Sequence, residues 1–359
     1  MSRSTFRQVD SGLRSGRQNI ALDQAMVEAH SAGEIPDTLR FISFKPCVLL
    51  GRHQALSQEV NADYCHSQGI EIGRRITGGG AIYMDEGVLG WALICQRSAL
   101  GGGALGDLTA RICGAAAAGL SRLGVTAKFR PRNDIEIEGR KISGTGGFFD
   151  GNTLIYQGTI LVDPKPDIMF QALNVARDKY AKHGLKDAAQ RVTSLVAELG
   201  RKPSREEIIT AMSAAFGEEL GLDMEDGELS ELEESYAAQS YLDEIGTDAF
   251  VAEIDDPSRE AGVLVGRTTG AGGQVVAYLR LEGPNDQLIR EVLFSGDFFV
   301  TPPRFVFDLE AHLRGTQIEQ VADTVKGFFQ EAEVGLLSVT QEDFTSAVQG
   351  AAQVRSVRA

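Results

Sequence analysis

The stretch Gly73-Arg74-Arg75-Ile76-Thr77-Gly78-Gly79-Gly80 sets two guanidinium groups just ahead of three consecutive glycines. Residues without a Cβ let the backbone lie flat against a ligand and aim its N–H groups at it. Two guanidinium groups beside them add fixed positive charge and planar donors that match carboxylate or phosphate. Such a loop suits an acyl carboxylate and a nucleotide phosphate held side by side. Downstream, Arg132-Asn133-Asp134-Ile135, Gly139-Arg140-Lys141-Ile142-Ser143-Gly144 and Gly158-Thr159-Ile160-Leu161 complete the constellation. When a carboxylic acid is activated with ATP, its oxygen attacks the α-phosphorus and pyrophosphate leaves. A protein that does this must hold two anions together and stabilise the charge that develops between them. Lys141 is the candidate cation for that task. Each motif also has a plain reading: a solvated lysine beside Arg140, an Asn-Asp turn before a strand, a tight turn at the glycines.

The elements that must position these residues are readable from periodicity. Ile20 to Ala32 has the spacing of a helix, and Leu39 to Phe44 and Val48 to Gly51 read as strands around the Lys45-Pro46 turn. Asn61 to Gly69 reads as a short helix, and Glu71-Ile72 as a strand entering the glycine loop. Gly80 to Tyr83 and Leu89 to Gln96 are apolar enough to be paired central strands. Leu108 to Leu123 is an alanine-rich helix that Gly124 ends. Arg132 to Glu138 turns at Glu138-Gly139, predicting a hairpin before Lys141. Thr153 to Val162 is a further strand, and the chain is then helical to about Leu222, with a helix start at Ser204. Met1 to about Gln8 is polar and expected to fray. Strands interleaved with helices predict an α+β domain, a mixed sheet covered by helices.

Composition narrows the function classes. The 359 residues suffice for two domains, and 43% hydrophobic content supports a sizeable core. Fifty acidic against 35 basic side chains give a net charge of −15, which disfavours sequence-independent nucleic-acid binding. A local basic pocket of Arg74, Arg75, Arg130, Arg132, Arg140 and Lys141 would still attract an anionic nucleotide. Cys47, Cys65, Cys95 and Cys113 have no C-x-x-C spacing, and His30, His53, His66, His183 and His312 form no ligand pattern, so structural or surface roles are expected for them. Dilute cysteine and no secretory leader point to the cytoplasm. No apolar run approaches the roughly 20 residues of a membrane helix. Gly101 to Gly106 lacks the Gly-Lys-Ser/Thr of a P-loop and reads as a flexible connection.

The motifs resemble those of the lipoate–protein ligases of the biotin/lipoate ligase superfamily. Gly51-Arg52-His53-Gln54 reads as G-R-x-Q, Glu59-Val60-Asn61 as E-V-N, and Arg74 to Asp85 as R-R-x-x-G-G-G-x-x-x-x-D. Asn133-Asp134 with Gly139 to Gly144 reads as N-D…G-x-K-x-S-G, and Asn19 to Asp23 as an early N-x-A-x-[DE] helix start. The match covers roughly the first two hundred residues in the family's order, and ordered motifs are far more specific than a bare glycine run. The resemblance implies a lipoate ligase fold and two half-reactions: activation of lipoic acid by Mg2+-ATP to lipoyl-AMP, then transfer to a lysine of a lipoyl carrier protein or lipoyl domain. It places Lys141 on the acyl carboxylate and α-phosphate. It gives substrate or ATP contacts to Arg75, Gly78, Gly79, Gly80, Asn133, Asp134, Ser143, Gly144, Gly158 and Thr159. Asp134 would position Mg2+ or orient Lys141 through an ion pair, and Arg74 would be structural. The chain departs from the family at Met84-Asp85, Gly87-Val88-Leu89 and Tyr156-Gln157-Gly158, positions that touch the acyl pocket and the acceptor approach.

Residues 1–222 are expected to form the catalytic domain, 223–247 an acidic linker, its Asp223 to Glu234 part a solvated helix or linker, and 248–359 a small α+β accessory domain. In that domain Gly262 to Gly266, Gln274 to Leu281 and Leu288 to Phe294 read as strands, with a glycine-rich turn at Thr269 to Gly273. Helical segments follow near Asp308 to Leu313 and Gln317 to Phe329. Phe294 to Phe299 with Pro302-Pro303 resembles the accessory domain of the same ligases. The linker is placed to act as a hinge, with Phe294, Phe298 and Phe299 packing on the catalytic domain or forming the small domain's core. Three rivals remain. An octanoyl- or lipoyl-transferase works through a cysteine thioester without ATP, yet Gly144 to Phe149 holds no cysteine. A biotin ligase has a different glycine loop. A non-catalytic carrier-binding module would not need Lys141, Asn133 and Asp134.

Overall fold

The structure, a computed structural model, describes residues 3–174, 191–270, 273–332 and 334–358, with side chains through residue 354. His183, the helical reading across 175–190, and Ala271 and Gly272 of the glycine-rich turn lie outside the described residues.

The N-terminal strands in chain order are β1 Ser4–Arg14, β2 Thr38–Phe44, β3 Cys47–Leu50, β4 Glu71–Arg74, β5 Ile82–Met84, β6 Val88–Gln96, β7 Ala127–Arg130, β8 Asp134–Ile137, β9 Arg140–Asp150, β10 Thr153–Leu161 and β11 Leu222–Asp226. Eight form one mixed sheet, β11-β1-β2-β6-β10-β9-β8-β7, and three a small sheet, β4-β3-β5. β6 (VLGWALICQ) is buried almost throughout, as a strand covered on both faces must be. Helices Leu105–Ser121 and Arg205–Leu220 cover one face, around Trp91, Leu93, Ile112, Met212 and Phe216. Helices Gly16–Ser31 and Glu231–Ser240 belong to the other, with Leu22, Met26, Ala92 and Ile94 in its core and Ala237 beside them. Ser15 and Ser230 start their helices with capping boxes, and Ser204 caps the third. The α+β expectation holds.

The C-terminal domain contains the antiparallel sheet β12 Leu264–Thr269, β13 Gln274–Glu282 and β14 Leu288–Gly296, then the short pair β15 Val300–Thr301 and β16 Gly335–Leu336. Helices Phe305–His312, Val321–Glu331 and Gln341–Arg358 surround a core of Leu279, Phe294, Phe298, Leu309 and Phe344. No helix among the described residues is long and apolar enough to cross a membrane.

Three expectations change, and one helix is unforeseen. Ser4 to Gln8 do not fray: β1 pairs with β2 and β11, and Phe6 is fully buried, while Met1 and Ser2 lie outside the described residues. The acidic stretch does hold the helix that is one of its two readings, Glu231–Ser240, but that helix is packed and not free in solvent. The stretch also supplies edge strand β11, and its helix packs on helix Gly16–Ser31 because arginines neutralise it. Arg7 donates to both oxygens of buried Glu233, at 2.5 and 2.9 Å, and Arg14 to both of Glu234, at 2.5 and 3.0 Å. β5 and β6 do not pair with each other. β5 lies beside β3 in the small sheet, while β6 lies between β2 and β10. The helix Gln341–Arg358, whose polar composition gives little periodic signal, closes the C-terminal core.

Candidate active site

The glycine loop leaves β4 at its two arginines. Arg74 is 1% exposed and binds only backbone carbonyls. Its Nη1 donates to Gln54 at 2.7 Å and to Gly51 and Arg52 at 3.2 Å, its Nη2 to Val251 at 2.7 Å and Ile254 at 3.0 Å, and its Nε to Phe250 at 3.1 Å. One guanidinium thus ties the Gly51-to-Gln54 turn to the segment after the acidic helix. Arg75 works from beneath the loop: Nη1 donates to Leu49 at 2.7 Å, and Nη2 to Gly78 at 3.0 Å and Gly80 at 2.9 Å. Burial lowers both arginines to about 10, and Arg52 adds to the effect at Arg74. These are scaffold bonds that fix the loop's path. They also divide the expected basic pocket, because Arg74 and Arg75 face carbonyls while the other cations lie on the strand side.

On that side the β8–β9 hairpin turns through Glu138 and Gly139, both with positive φ. The Lys141 ammonium sits 2.7 Å from Asp134 Oδ1, and its side chain is 40% exposed. Arg130 pairs with the other carboxylate oxygen. The Lys141 backbone is held by residues 191–193: its N–H donates to Arg191 at 2.8 Å, and its carbonyl accepts from Thr193 at 2.9 Å. A Cβ on Gly144 would come within 2.8 Å of Nζ, so the glycine is what lets the lysine lie across β9. Asn133 Nδ2 donates to the Thr145 carbonyl at 2.5 Å, and Thr145 returns bonds from N and Oγ1 at 2.9 Å to the Asn133 carbonyl. Thr159 Oγ1 meets the Gly144 backbone at 3.4 Å. The Ser143 hydroxyl is buried without a hydrogen-bond partner. Gly158 instead faces the core, where a Cβ would strike the Trp91 ring at 2.3 Å.

A Mg2+ that arrives on ATP phosphates needs only one or two protein carboxylates, and Asp134 is the carboxylate beside Lys141. The described residues contain no group of three or more metal-ligating side chains, and both Asp134 oxygens are taken by cations. The carboxylate orients Lys141 here, which is one of the two roles expected of it.

The two halves meet at a seam. Thr77 Oγ1 lies 3.4 Å from Gln157 Oε1, and Gln157 Nε2 donates to Asp23 at 2.5 Å. Asp23 accepts from buried Arg40 at 2.5 Å, and Arg40 also donates to Asn19 Oδ1 at 2.7 Å. Gln157, one of the departures in sequence, therefore couples the glycine loop to a buried ion pair. Asn19 and Asp23, four apart on one helix face, carried the signal for that network, but its partner Arg40 did not stand out. Across the seam lies the C-terminal domain. The Gly79 N–H donates to the Phe298 carbonyl at 3.1 Å, the Gly296 N–H to the His53 carbonyl at 3.0 Å, and Thr301 Oγ1 accepts from the Phe149 N–H at 2.7 Å.

All four cysteines are free and buried. Burial pushes the Cys47 and Cys95 thiols well above their ordinary value and Cys65 to about 11. Cys113 is also raised by burial; its Sγ lies 3.2 Å from Thr145 Oγ1, under β9.

Comparison with known proteins matches residues 15–217 to the family model described as the lipoyl protein ligase A/B catalytic domain. The chain is 29% identical over 257 residues to octanoyltransferase LipM of Symbiobacterium thermophilum, covering 65% of this chain and 93% of that protein. It is 32% identical over 191 residues to lipoate-protein ligase LplJ of Bacillus subtilis, covering 53% of this chain and 56% of that one. Among solved structures, P. falciparum LipL1 in complex with lipoate superposes with a TM-score of 0.70 at 14% identity, over 98% of this chain and 99% of that one. At that identity the likeness is one of fold, and it extends through the C-terminal domain.

Proposed function

The chain belongs to the lipoyl protein ligase A/B catalytic-domain family, and from that premise we propose that it activates lipoate with ATP and passes the lipoyl group to a lysine of a lipoyl carrier protein. The observation that carries this reading is the Lys141–Asp134 pair beside Asn133, Gly144 and Thr159, a half-exposed cation held in one place by a carboxylate and a glycine. In the first half-reaction a lipoate oxygen attacks the α-phosphorus and pyrophosphate departs with the displaced electron pair. Lys141 sits where it can stabilise charge on both anions, without reorganisation at the moment of reaction. In the second, the carrier's neutral amine attacks the acyl carbon, AMP leaves, and the amine proton is lost to solvent. Substrate and ATP contacts fall, on this reading, to Gly78, Gly79, Gly80, Asn133, Ser143 and Gly144. Arg75 shapes the loop that presents the glycine backbone.

Octanoyl transfer without ATP is the second reading, because an octanoyltransferase is among the relatives. A transferase that works through a cysteine thioester needs an accessible thiolate. The buried, protonated thiols of this chain favour the ligase. ATP–pyrophosphate exchange separates the two. Lipoate-dependent return of labelled pyrophosphate into ATP is expected. No exchange, together with ATP-free octanoyl transfer between carrier proteins, would overturn the ligase reading.

A further inference from the structure

The C-terminal domain sets an aromatic ring between the two halves of the site. A Cβ on Gly79, where φ is +92°, would meet the Phe299 ring at 2.5 Å, and a Cβ on Gly146 would meet the same ring at 2.0 Å. Gly79 belongs to the glycine loop, and Gly146 lies on β9 opposite Gln157. The outer end of the ring, Cζ and Cε1, therefore rests against backbone from both halves, in a slot that exists because both residues lack a side chain. Phe298 adds its carbonyl, which takes the Gly79 N–H at 3.1 Å, a donor otherwise free for an anion. A Cβ on Gly78 would reach that carbonyl at 2.2 Å.

Phe299 differs from its neighbours. Phe294 and Phe298 are fully buried in the core of their own domain, packed edge-on against Phe344. Phe299 is only partly buried, belongs to no hydrophobic core among the described residues, and rests on another domain's glycines. Such a ring gains less from its seat than a core residue does and is easier to displace.

We propose that Phe299 is an intramolecular placeholder. Ring and substrate acid compete for the slot between Gly79 and Gly146, and the acid binds by expelling the ring and freeing the Gly79 N–H. This rests on the reading of the site as one for lipoate. The docked C-terminal domain then lowers the apparent affinity for the acid by the fraction of molecules in which the ring is seated.

Titration calorimetry with lipoate on the full chain tests this. Phe299→Ala is expected to tighten binding about tenfold, since the ring's seat is worth at most a buried aromatic side chain. Phe299→Leu should fall between alanine and wild type, and Phe299→Trp should weaken binding. A second measurement uses the unaltered protein. A Cβ on Gly79 or on Gly146 would strike the Phe299 ring, so ring-proton NOEs from Phe299 to both glycines should be present in the free protein and vanish at saturating lipoate. Unchanged or weaker binding by the alanine variant, or NOEs that persist in lipoate-saturated protein, would overturn the proposal and make Phe299 a wall of the site. Wild-type protein that neither binds lipoate nor supports exchange would instead remove the ligase reading on which it rests.

Discussion

Arg74 and Lys141 lie in motifs of the same constellation and do opposite things. Arg74 is buried and bound entirely to carbonyls, and the charges that act on it, Arg52 against Glu253 and Asp255, do so without bonding it. Lys141 is half-exposed, bound to one carboxylate, and has room because Gly144 gives way. A buried guanidinium bonded to backbone is a fastener: five donors in a rigid fork hold chain segments that are far apart in sequence. A half-exposed ammonium on a flexible stem can exchange one anion for another. The residues that first suggest anion binding are therefore scaffold around the site, and the exposed charge to which the proposed chemistry falls lies on the hairpin opposite.

That contrast can be broken by two substitutions. Arg74→Ala leaves several buried carbonyls without donors, each worth about 1–3 kcal/mol. Urea unfolding should show a loss of at least about 3 kcal/mol, and a loss under 1 kcal/mol would make Arg74 no fastener. Lys141→Ala should leave stability within about 0.5 kcal/mol, as exposed ion pairs contribute little. Lipoate-dependent exchange should fall roughly 10²–10³-fold, the usual effect of removing one preorganised donor to developing charge. Exchange at the wild-type rate would take Lys141 out of the chemistry.

Local signals made much of this legible. The Glu138-Gly139 turn, the helix start at Ser204, and the order of motifs that brings Lys141, Asn133, Asp134, Gly144 and Thr159 together all lie in short stretches of chain. The illegible parts depend on partners distant in sequence. Arg7 meets Glu233 across 226 positions, so a stretch that reads as a solvated helix or linker is a helix packed on the domain. The carbonyls that bind Arg74 from Val251 and Ile254 lie 177 and 180 positions away, so no local pattern shows that the charge is already occupied. Nothing near Gly146 in the sequence marks its role, because the ring that rests on it, Phe299, lies 153 positions away.

The buried arginines also mark the residue beside them. His53 stacks on Phe298, with centroids 5.2 Å apart and planes at 16°, and neither ring nitrogen has a partner. Burial, reinforced by Arg52 and Arg74, pushes its pKa from 6.5 to about 3. Glu310 accepts the Phe294 N–H at 2.6 Å, and burial pushes it from 4.5 up to about 7, against the pull of Arg314. The signs oppose. His53 contributes stability that is present above pH 6.5 and lost as pH falls toward 3, because the unfolded chain takes up the proton first. Glu310 gains stability as pH falls from 7 to 4.5, because the folded chain takes up the proton first. Between pH 6.5 and 4.5 each slope is about 1.4 kcal/mol per pH unit, and together they cancel. Single variants should uncover them. Relative to wild type, His53→Gln gains stability as the buffer is acidified through that window, and Glu310→Gln loses it. Urea unfolding at stepped pH reads both differences. Profiles parallel to wild type would mean that His53 and Glu310 do not carry these protons, and the influence of the arginine cluster would then end at its own carbonyls.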